Sequence, residues 1–396
     1  MKKCLTTKIL VRHRRNNFDQ TNQKARVLMS KVKVFAMYLP QYHETEVNNK
    51  FWGKGFTDWV SVKKATPLFA GHEQPQVPMN NNYYDLSKVE SIKWQAEIAK
   101  KYGVDGWGIY HYWFNSNDRT LTKPAEILLE NKDIDMPFFF AWDNASWKRT
   151  WSKIQGNDWA PNADEKAERK GPEVLIEYRV GTEKDWKIHF DYLLPYFKDS
   201  RYVKHDNRIL FLIYNHSDEI QKMVEYWDKL AKENGFAGME CVFSYNPMHG
   251  IPKTAYKFRY EPLYSGWGGF WDRAKRLVFR NAVQTDIKLF SYSNVWKKLI
   301  RNAKNCHDDR MYYGAFVNYD DSPRRGKKGK AIIGGTPDLF EKYLKQLLSV
   351  CVNKKKPFVF LTAWNEWGEG AHLEPDQIHQ FAYLEALKRA KCGEQK

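Results

Sequence analysis

PFVFLTAWNEWGE, residues 357–369, is an apolar run that stops abruptly in two tryptophans and two glutamates. Its first eight residues, rich in Phe, Val and Leu, have the length and composition of a buried strand rather than of a complete helix. The rest does not continue a packed strand, so Glu366 and Glu369 are expected just beyond a strand's C-terminal end. Seven other runs have the same character: KVFAMYL 33–39, VDGWGIY 104–110, MPFFFAW 136–142, RILFLIY 208–214, GMECVFS 238–244, YKFRYE 256–261 and MYYGAFV 311–317. Amphipathic segments lie between several of them, at 86–101, 187–198, 218–234, 336–350 and 376–391. Leu339, Tyr343, Leu347 and Val350 recur near a helical period, as do Ile378, Phe381, Leu384 and Leu387.

Short buried runs alternating with helical segments predict an α/β domain with a parallel sheet. Eight such runs predict a single (β/α)8 TIM-like barrel with extended βα loops, rather than an open nucleotide-binding sheet. In a barrel, residues at the C-terminal ends of several strands converge on one cleft. Here those ends are polar and aromatic together: PQYH 40–43, HYW 111–113, WDN 142–144, YNH 214–216, SYNP 244–247, RYEP 259–262, VNYD 317–320 and WNEWGE 364–369.

The 396 residues carry 42% hydrophobic side chains, enough to fill a large core, and a net charge of +17. Part of that charge is local. Residues 1–28 hold eight Lys/Arg against the single acid Asp19 and read as a basic, disordered extension, with residues 29–396 forming the barrel domain. SPRRGKKGKA at 322–331 is glycine-punctuated and reads as a solvated basic loop. The sequence holds no zinc-finger spacing, Walker sequence or dinucleotide-binding GxGxxG, so a specific nucleic-acid partner is not expected. No apolar span is long enough to cross a bilayer, and the basic start lacks the features of a secretory signal. A cytoplasmic location follows, with the basic extension able to approach the anionic face of the inner membrane. The five cysteines form no close pair and are expected as reduced thiols.

Aromatic content narrows the ligand. The chain has 16 Trp, 23 Tyr and 23 Phe. Sugars present apolar C–H faces that aromatic rings cover and hydroxyl edges that Asp, Asn, Glu and His bind. Trp52, Trp59, Trp107, Trp113, Trp142, Trp147, Trp267 and Trp271 are candidate walls. Tyr42, His43, His111, Trp113, Trp142, Asp143, Asn144, Asn215, Asn246, Glu261, Asp320, Trp364 and Asn365 are candidate substrate-binding residues at the strand ends, with His111 and Trp113 expected to point inward. No cofactor is called for, and scattered Asp, Glu and His residues do not make a metal site. Glu366 and Glu369 are three residues apart, which in a helical turn places two side chains on one face. Two adjacent carboxyls divide their protonation, and glycosidic cleavage uses that division: an acid for the leaving oxygen and a base or nucleophile at the sugar.

VFAMYLPQYHETEVNNKFWGKGFTDW at 34–59, YHYWF at 110–114 and TAWNEWGEGAHLEPD at 362–376 resemble the WbsX family, whose domains are similar to glycoside hydrolase family 99. The resemblance runs from about Val32 to Arg389. It implies a barrel and an action on carbohydrate, either as a retaining endo-acting α-mannosidase-like hydrolase or as a glycosyltransferase of bacterial surface-polysaccharide synthesis. It also implies that Glu366 deprotonates the 2-hydroxyl of the donor sugar, that a 1,2-anhydro sugar forms, and that Glu369 protonates the leaving oxygen. Glu374, in LEP 373–375, would stand near a subsite wall. Gly368 departs from the pattern, which has His there, and loosens the inference to mannose.

The favoured reading is thus a retaining endo-glycosidase acting on an α-linked, mannose-containing bacterial polysaccharide. Two alternatives stay open: a glycosyltransferase making lipopolysaccharide O-antigen or capsule on an oligosaccharide, polysaccharide or lipid-linked acceptor, and a noncatalytic glycan-binding barrel.

Overall fold

A computed structural model describes residues 28–148, 174–247, 250–267 and 285–392. The basic extension at 1–28, apart from Leu28, and Trp271 lie outside them. Eight parallel strands close into a barrel: β1 (Lys33–Tyr38), β2 (Gly106–Trp113), β3 (Phe138–Trp142), β4 (Arg208–Ile213), β5 (Gly238–Ser244), β6 (Tyr256–Phe258), β7 (Met311–Phe316) and β8 (Phe358–Thr362). Each pairs with its neighbour in order, and β1 pairs with both β2 and β8, which closes the ring. All eight expected runs are therefore strands, and the barrel predicted from them is the fold.

Helices α1 (Val89–Lys101), α2 (Lys123–Glu130), α3 (Glu183–Phe197), α4 (Asp218–Glu233), α5 (Tyr292–Lys304), α6 (Pro337–Asn353) and α7 (Ala382–Cys392) accompany the strands. In α6, Pro337 occupies the first turn and the Thr336 side chain accepts from Leu339 N, while Phe340, Leu344, Leu347, Leu348 and Cys351 face the core. The segment expected to become helical at 376 does so only at 382. Asp376 Oδ1 accepts from the backbone of Ile378 (2.8 Å) and His379 (2.5 Å), an Asp-stabilised turn that competes with helix, and it leaves Ile378 exposed. α5, outside the amphipathic segments predicted from the sequence, also carries a helical period in Val295, Trp296, Leu299, Ile300 and Ala303.

Side chains alternate between the barrel interior and the helix layer. Phe35, Phe139, Phe258 and Phe360 fill the interior, with ring centroids 5.3–5.7 Å apart for Phe35–Phe139, Phe139–Phe360 and Phe258–Phe360. Gly108 makes room for them: a Cβ there would sit 2.7 Å from the Phe139 ring and 2.9 Å from Met37 Sδ. Phe138 and Phe140 face outward to Tyr196 and Tyr202. The described cysteines, Cys241, Cys306, Cys351 and Cys392, are free thiols. No helix among the described residues is long and apolar enough to cross a membrane.

One expectation is overturned. The basic run at 322–331 is not a solvated loop throughout. Ser322–Arg325 forms a helical turn with Ser322 and Pro323 buried, and Lys330–Ile333 is a strand paired with Lys288–Ser291 and Tyr319–Asp320. Asp320 and Asp321 accept from the backbone of Ser322 (3.0 Å) and Lys330 (2.5 Å), holding the segment down. Only Arg325, Lys327 and Lys328 remain exposed.

Candidate active site

A cavity of about 800 Å³ opens where the C-terminal strand ends meet. That volume lies toward the upper end of the roughly 300–1,000 Å³ typical of ligand pockets. Its wall is set by strand phase. Tyr110 and Tyr112 of β2, Asp143 after β3, Tyr214 after β4, Ser244 of β5 and Tyr260 after β6 all line it. Tyr110 and Tyr260 hydroxyls bond each other at 2.8 Å. Trp52 and Trp147 add aromatic surface nearer the loops, and Tyr245, Asn246 and Tyr264 continue the wall.

Glu366, Glu369 and Arg324 form the floor. Beyond β8, Asn365 and Glu366 pair with Ala371–His372, and Trp367–Glu369 makes a single 3-10 turn. Asn365 fastens this turn to the barrel: its Oδ1 accepts from Leu39 N at 2.7 Å and its Nδ2 donates to Leu39 O at 2.9 Å. Tyr42 supports it from below, donating to Asn365 O (2.6 Å) while its hydroxyl oxygen accepts from Trp367 N (3.1 Å). Glu374 accepts from Trp367 Nε1, Tyr84 Oη and Gln95 Nε2, each at 2.7 Å. These groups orient the turn from behind.

Both floor carboxylates meet one guanidinium. Arg324 Nη2 donates to Glu366 Oε1 and Nη1 to Glu369 Oε1, each at 2.8 Å. Asp58, in the loop after β1, accepts from Arg324 Nε at 3.2 Å and Nη2 at 2.8 Å. The Glu366 side chain is 6% exposed and that of Glu369 24%, so Glu366 is the deeper of the two. Burial pushes the Glu366 carboxyl up to about 8, with Arg324 opposing and Glu369 and Asp58 reinforcing the rise. Asp143 is pushed up to about 6 by burial.

The other expected site residues stand elsewhere. His111 and Trp113, expected to point inward, occupy the opposite phase of β2 and pack under α3: His111 Nε2 lies 2.8 Å from His189 Nε2, and the Trp113 ring stacks on His189 at 4.2 Å. Burial drives His111 down to about 3, so the imidazole is neutral at physiological pH. Trp142 likewise faces outward, against His189 and Trp227. Asn144 and Asn215 tie the β3 and β4 ends together, Asn144 Oδ1 accepting from Asn215 N at 2.7 Å. Glu261 is buried and accepts from Ser265 N and Oγ. Asp320 accepts from Gln74 Nε2 at 2.6 Å and pairs with His72. His43 and Trp364 are buried away from the cavity lining. Of the expected residues, the structure brings Glu366, Glu369, Asp143, Asn246 and the candidate walls Trp52 and Trp147 to the cavity.

Arg324 and Asp58 are not foreseen by the sequence, and the tyrosines, several of them within the strand-end motifs, are not among its named candidates. The tyrosines sit one residue from those named at most strand ends. Arg324 lay hidden in a run whose charge looked like a solvated face.

Comparison with known proteins agrees with this architecture. The fold is similar to the GH99 endo-alpha-mannosidase from Bacteroides thetaiotaomicron, with a TM-score of 0.54 at 13% identity, covering 90% of this chain and 95% of that one. A protein described as glycoside hydrolase-like gives 0.54 at 12% identity, covering 91% and 93%. At these identities the likeness shows the fold. The uncharacterized protein WxcX of Xanthomonas campestris pv. campestris is 27% identical over 367 residues, which cover 90% of this chain and 49% of WxcX. The chain thus spans about half the length of that relative. The family described as Glycosyltransferase WbsX matches residues 34–387. That match spans the barrel with its floor and wall, and the chain belongs to the WbsX family.

Proposed function

We propose that the cleft transfers a glycosyl unit to an acceptor hydroxyl during assembly of a bacterial surface polysaccharide, a lipopolysaccharide O-antigen or a capsule. The observation that carries this reading is the Glu366–Glu369 pair on the cavity floor, in a chain whose family is described as a glycosyltransferase. One carboxyl gives its proton to the leaving oxygen as the anomeric C–O bond breaks. The other takes the proton of the acceptor hydroxyl as the new C–O bond forms. The tyrosine wall covers the apolar faces of the sugar rings and offers hydroxyls to their edges. A lipid-linked acceptor would bring the enzyme to the cytoplasmic face of the inner membrane.

A second reading, hydrolysis of an internal α-linkage in a mannose-containing glycan with net retention, is favoured by the unequal depth of the two carboxyls. The deeper Glu366 suits a base that takes the proton of a 2-hydroxyl, whose oxygen then attacks C1 to form a 1,2-anhydro sugar. The more open Glu369 suits an acid at the leaving oxygen and then a base for the water that opens the anhydride. The charge of the cleft bears on both readings. With the Glu366 carboxyl pushed up to about 8, Asp58, Asp143 and Glu369 still outnumber the neighbouring cations Arg324 and Arg325, so a leaving group departing as a neutral alcohol is accommodated more easily than a diphosphate.

The test is one enzyme under two conditions. End-labelled α-mannosyl oligosaccharides are incubated with and without acceptor glycan, and nucleotide-sugar and lipid-linked donors are run in parallel. Acceptor extension abolished by Glu366→Gln and by Glu369→Gln supports transfer. New reducing ends formed without acceptor support hydrolysis. Turnover that survives in both variants would remove the carboxylate pair from the reaction.

A further inference from the structure

Gly368 lies between the two floor glutamates, and its backbone does not require glycine: its φ is not in the left-handed region. Its surroundings do. A Cβ there would lie 2.5 Å from Arg324 Nε and 2.5 Å from Asp58 Oδ2. The missing side chain is the space through which the guanidinium reaches the turn.

We propose that Arg324 is the positioning residue of the carboxylate pair, that Asp58 aims it, and that position 368 carries no side chain in order to admit it. The proposal rests on the functional reading only in taking Glu366 and Glu369 as the reacting groups. Asp58 is buried, with its side chain 1% exposed, and holds the Nε and Nη2 edge of the guanidinium. Two-point contact fixes the plane of the fork before it meets the glutamates, so Nη1 and Nη2 present donors at a set spacing to Glu369 and Glu366. The turn carrying Arg324 is itself held, through the Arg324 N bond to Asp321 O and the Asp320 cap on Ser322. The spacing of the two carboxyls is therefore set by a rigid planar group that comes from another loop.

The same cation governs their proton. Glu366 is faced by Asp58 and Tyr42 from the first loop, Tyr110 and Tyr112 from β2, Tyr260 after β6, Arg324 and Glu369. Arg324 is the group in this shell that favours the ionised carboxylate through charge, against burial and the other acids. Its removal raises the proton affinity of Glu366 further.

The experiment is a cycle of Gly368→Ala, Arg324→Gln and the double variant in the full chain, read by melting temperature, turnover and the titration of Glu366 in protein carrying 13C-labelled glutamate carboxyls. Gly368→Ala alone is expected to lower the melting temperature and to cost turnover roughly 100-fold by displacing the fork. Arg324→Gln is expected to raise the Glu366 midpoint by about one unit. The double variant should lose less than the two single losses combined, since the alanine then meets Asp58 but no guanidinium. Additive losses, or a Gly368→Ala protein indistinguishable from the parent, would overturn the inference. So would a Glu366 midpoint unmoved by Arg324→Gln, the result for a residue that only tethers its loop. Arg324→Lys adds a further discrimination: it keeps the charge but not the fork, so positioning predicts a near-parental midpoint with turnover still lost, whereas restored turnover would refute the need for a fork. Melting and titration are read without a substrate. A non-additive cycle with a shifted midpoint in a protein that shows neither transfer nor hydrolysis would uphold the clamp and reject the functional reading.

Discussion

The wall and the floor of the cleft are built in different ways. The wall comes from the strands: Tyr112, Asp143, Tyr214, Ser244 and Tyr260 occupy inward positions at the ends of consecutive strands, each placed by its own backbone ladder. The floor comes from loops: Asp58 after β1, Arg324 after β7, and Glu366 and Glu369 after β8, with every one of these charges held by another at 2.8–3.2 Å. A wall of independent strands should lose its contributions one residue at a time. A floor made of mutual contacts should fail as a unit.

The largest effect tests the floor. Glu366→Gln and Glu369→Gln each remove a proton donor or acceptor while keeping the side chain's size, and each is expected to lower turnover roughly 100- to 10,000-fold. Glycan affinity, measured separately by calorimetry, should stay within a few-fold of the parent. Losses for groups that act together do not multiply, so the double variant should be about as slow as the worse single one. Fully multiplicative losses would show two independent groups and break the contrast with the wall.

Asp143 is the wall's carboxylate, and its replacement is the next largest effect. Asp143→Asn is expected to weaken glycan binding about tenfold, since a charged acceptor facing sugar hydroxyls becomes a neutral one. It carries a pH signature as well. Burial raises the folded-state affinity of Asp143 for its proton to about 6, from 3.8. The native state therefore binds more protons than the unfolded chain between these values, and the parent loses stability as pH rises through that window. Asparagine cannot lose a proton. The variant's advantage should appear between pH 4 and 6 and level off above it, at roughly 1–2 kcal/mol after allowing for water in the cleft. Melting curves from pH 4 to 8 measure it, and an advantage growing below pH 4 would contradict the assigned cause.

The same contrast explains what the sequence disclosed. Strand existence was legible in eight short apolar runs, because the length and composition of a buried strand are local properties. The rim was legible too, since polar and aromatic residues cluster where those runs end. Phase was not. A one-residue slip turns a side chain to the other face of a strand, so His111, Trp113 and Trp142 are named although they face the helix layer, while Tyr110 and Tyr112, which face the cleft, are not. The carboxylate turn was legible as a motif, but its partner was not. Arg324 is matched by Asp58, 266 positions away in the chain, and no local pattern distinguishes such an arginine from its exposed neighbour Arg325.

A smaller effect probes the wall's modularity. The Tyr110 and Tyr260 hydroxyls bond each other, so Tyr260→Phe should cost about 1 kcal/mol and lower substrate affinity a few-fold. Tyr110→Phe added to it should cost little more in stability, because the bond is already gone. Turnover of bound substrate should be nearly unchanged in both. A fall comparable to that of the glutamate variants would place these hydroxyls in the proton-transfer chemistry and join the wall to the floor.

The smallest effect on activity is expected at His111, and it bears on phase directly. His111 and Tyr112 are adjacent in sequence, yet one faces His189 under α3 and the other the cavity. Both imidazoles are held neutral by burial, so one Nε2 donates and the other accepts. His111→Leu leaves the buried His189 nitrogen without this partner, which should cost about 1–3 kcal/mol of stability while glycan affinity and turnover stay within about twofold of the parent. Replacing both histidines with leucine should recover much of the loss, because removing both partners leaves neither nitrogen unsatisfied. Tyr112→Phe should show the reverse signature, a change in glycan affinity with little change in melting temperature. A weakened affinity in His111→Leu that the double replacement does not restore would mean that His111 reaches the sugar, and that the face of β2 used for binding is the one its sequence first suggested.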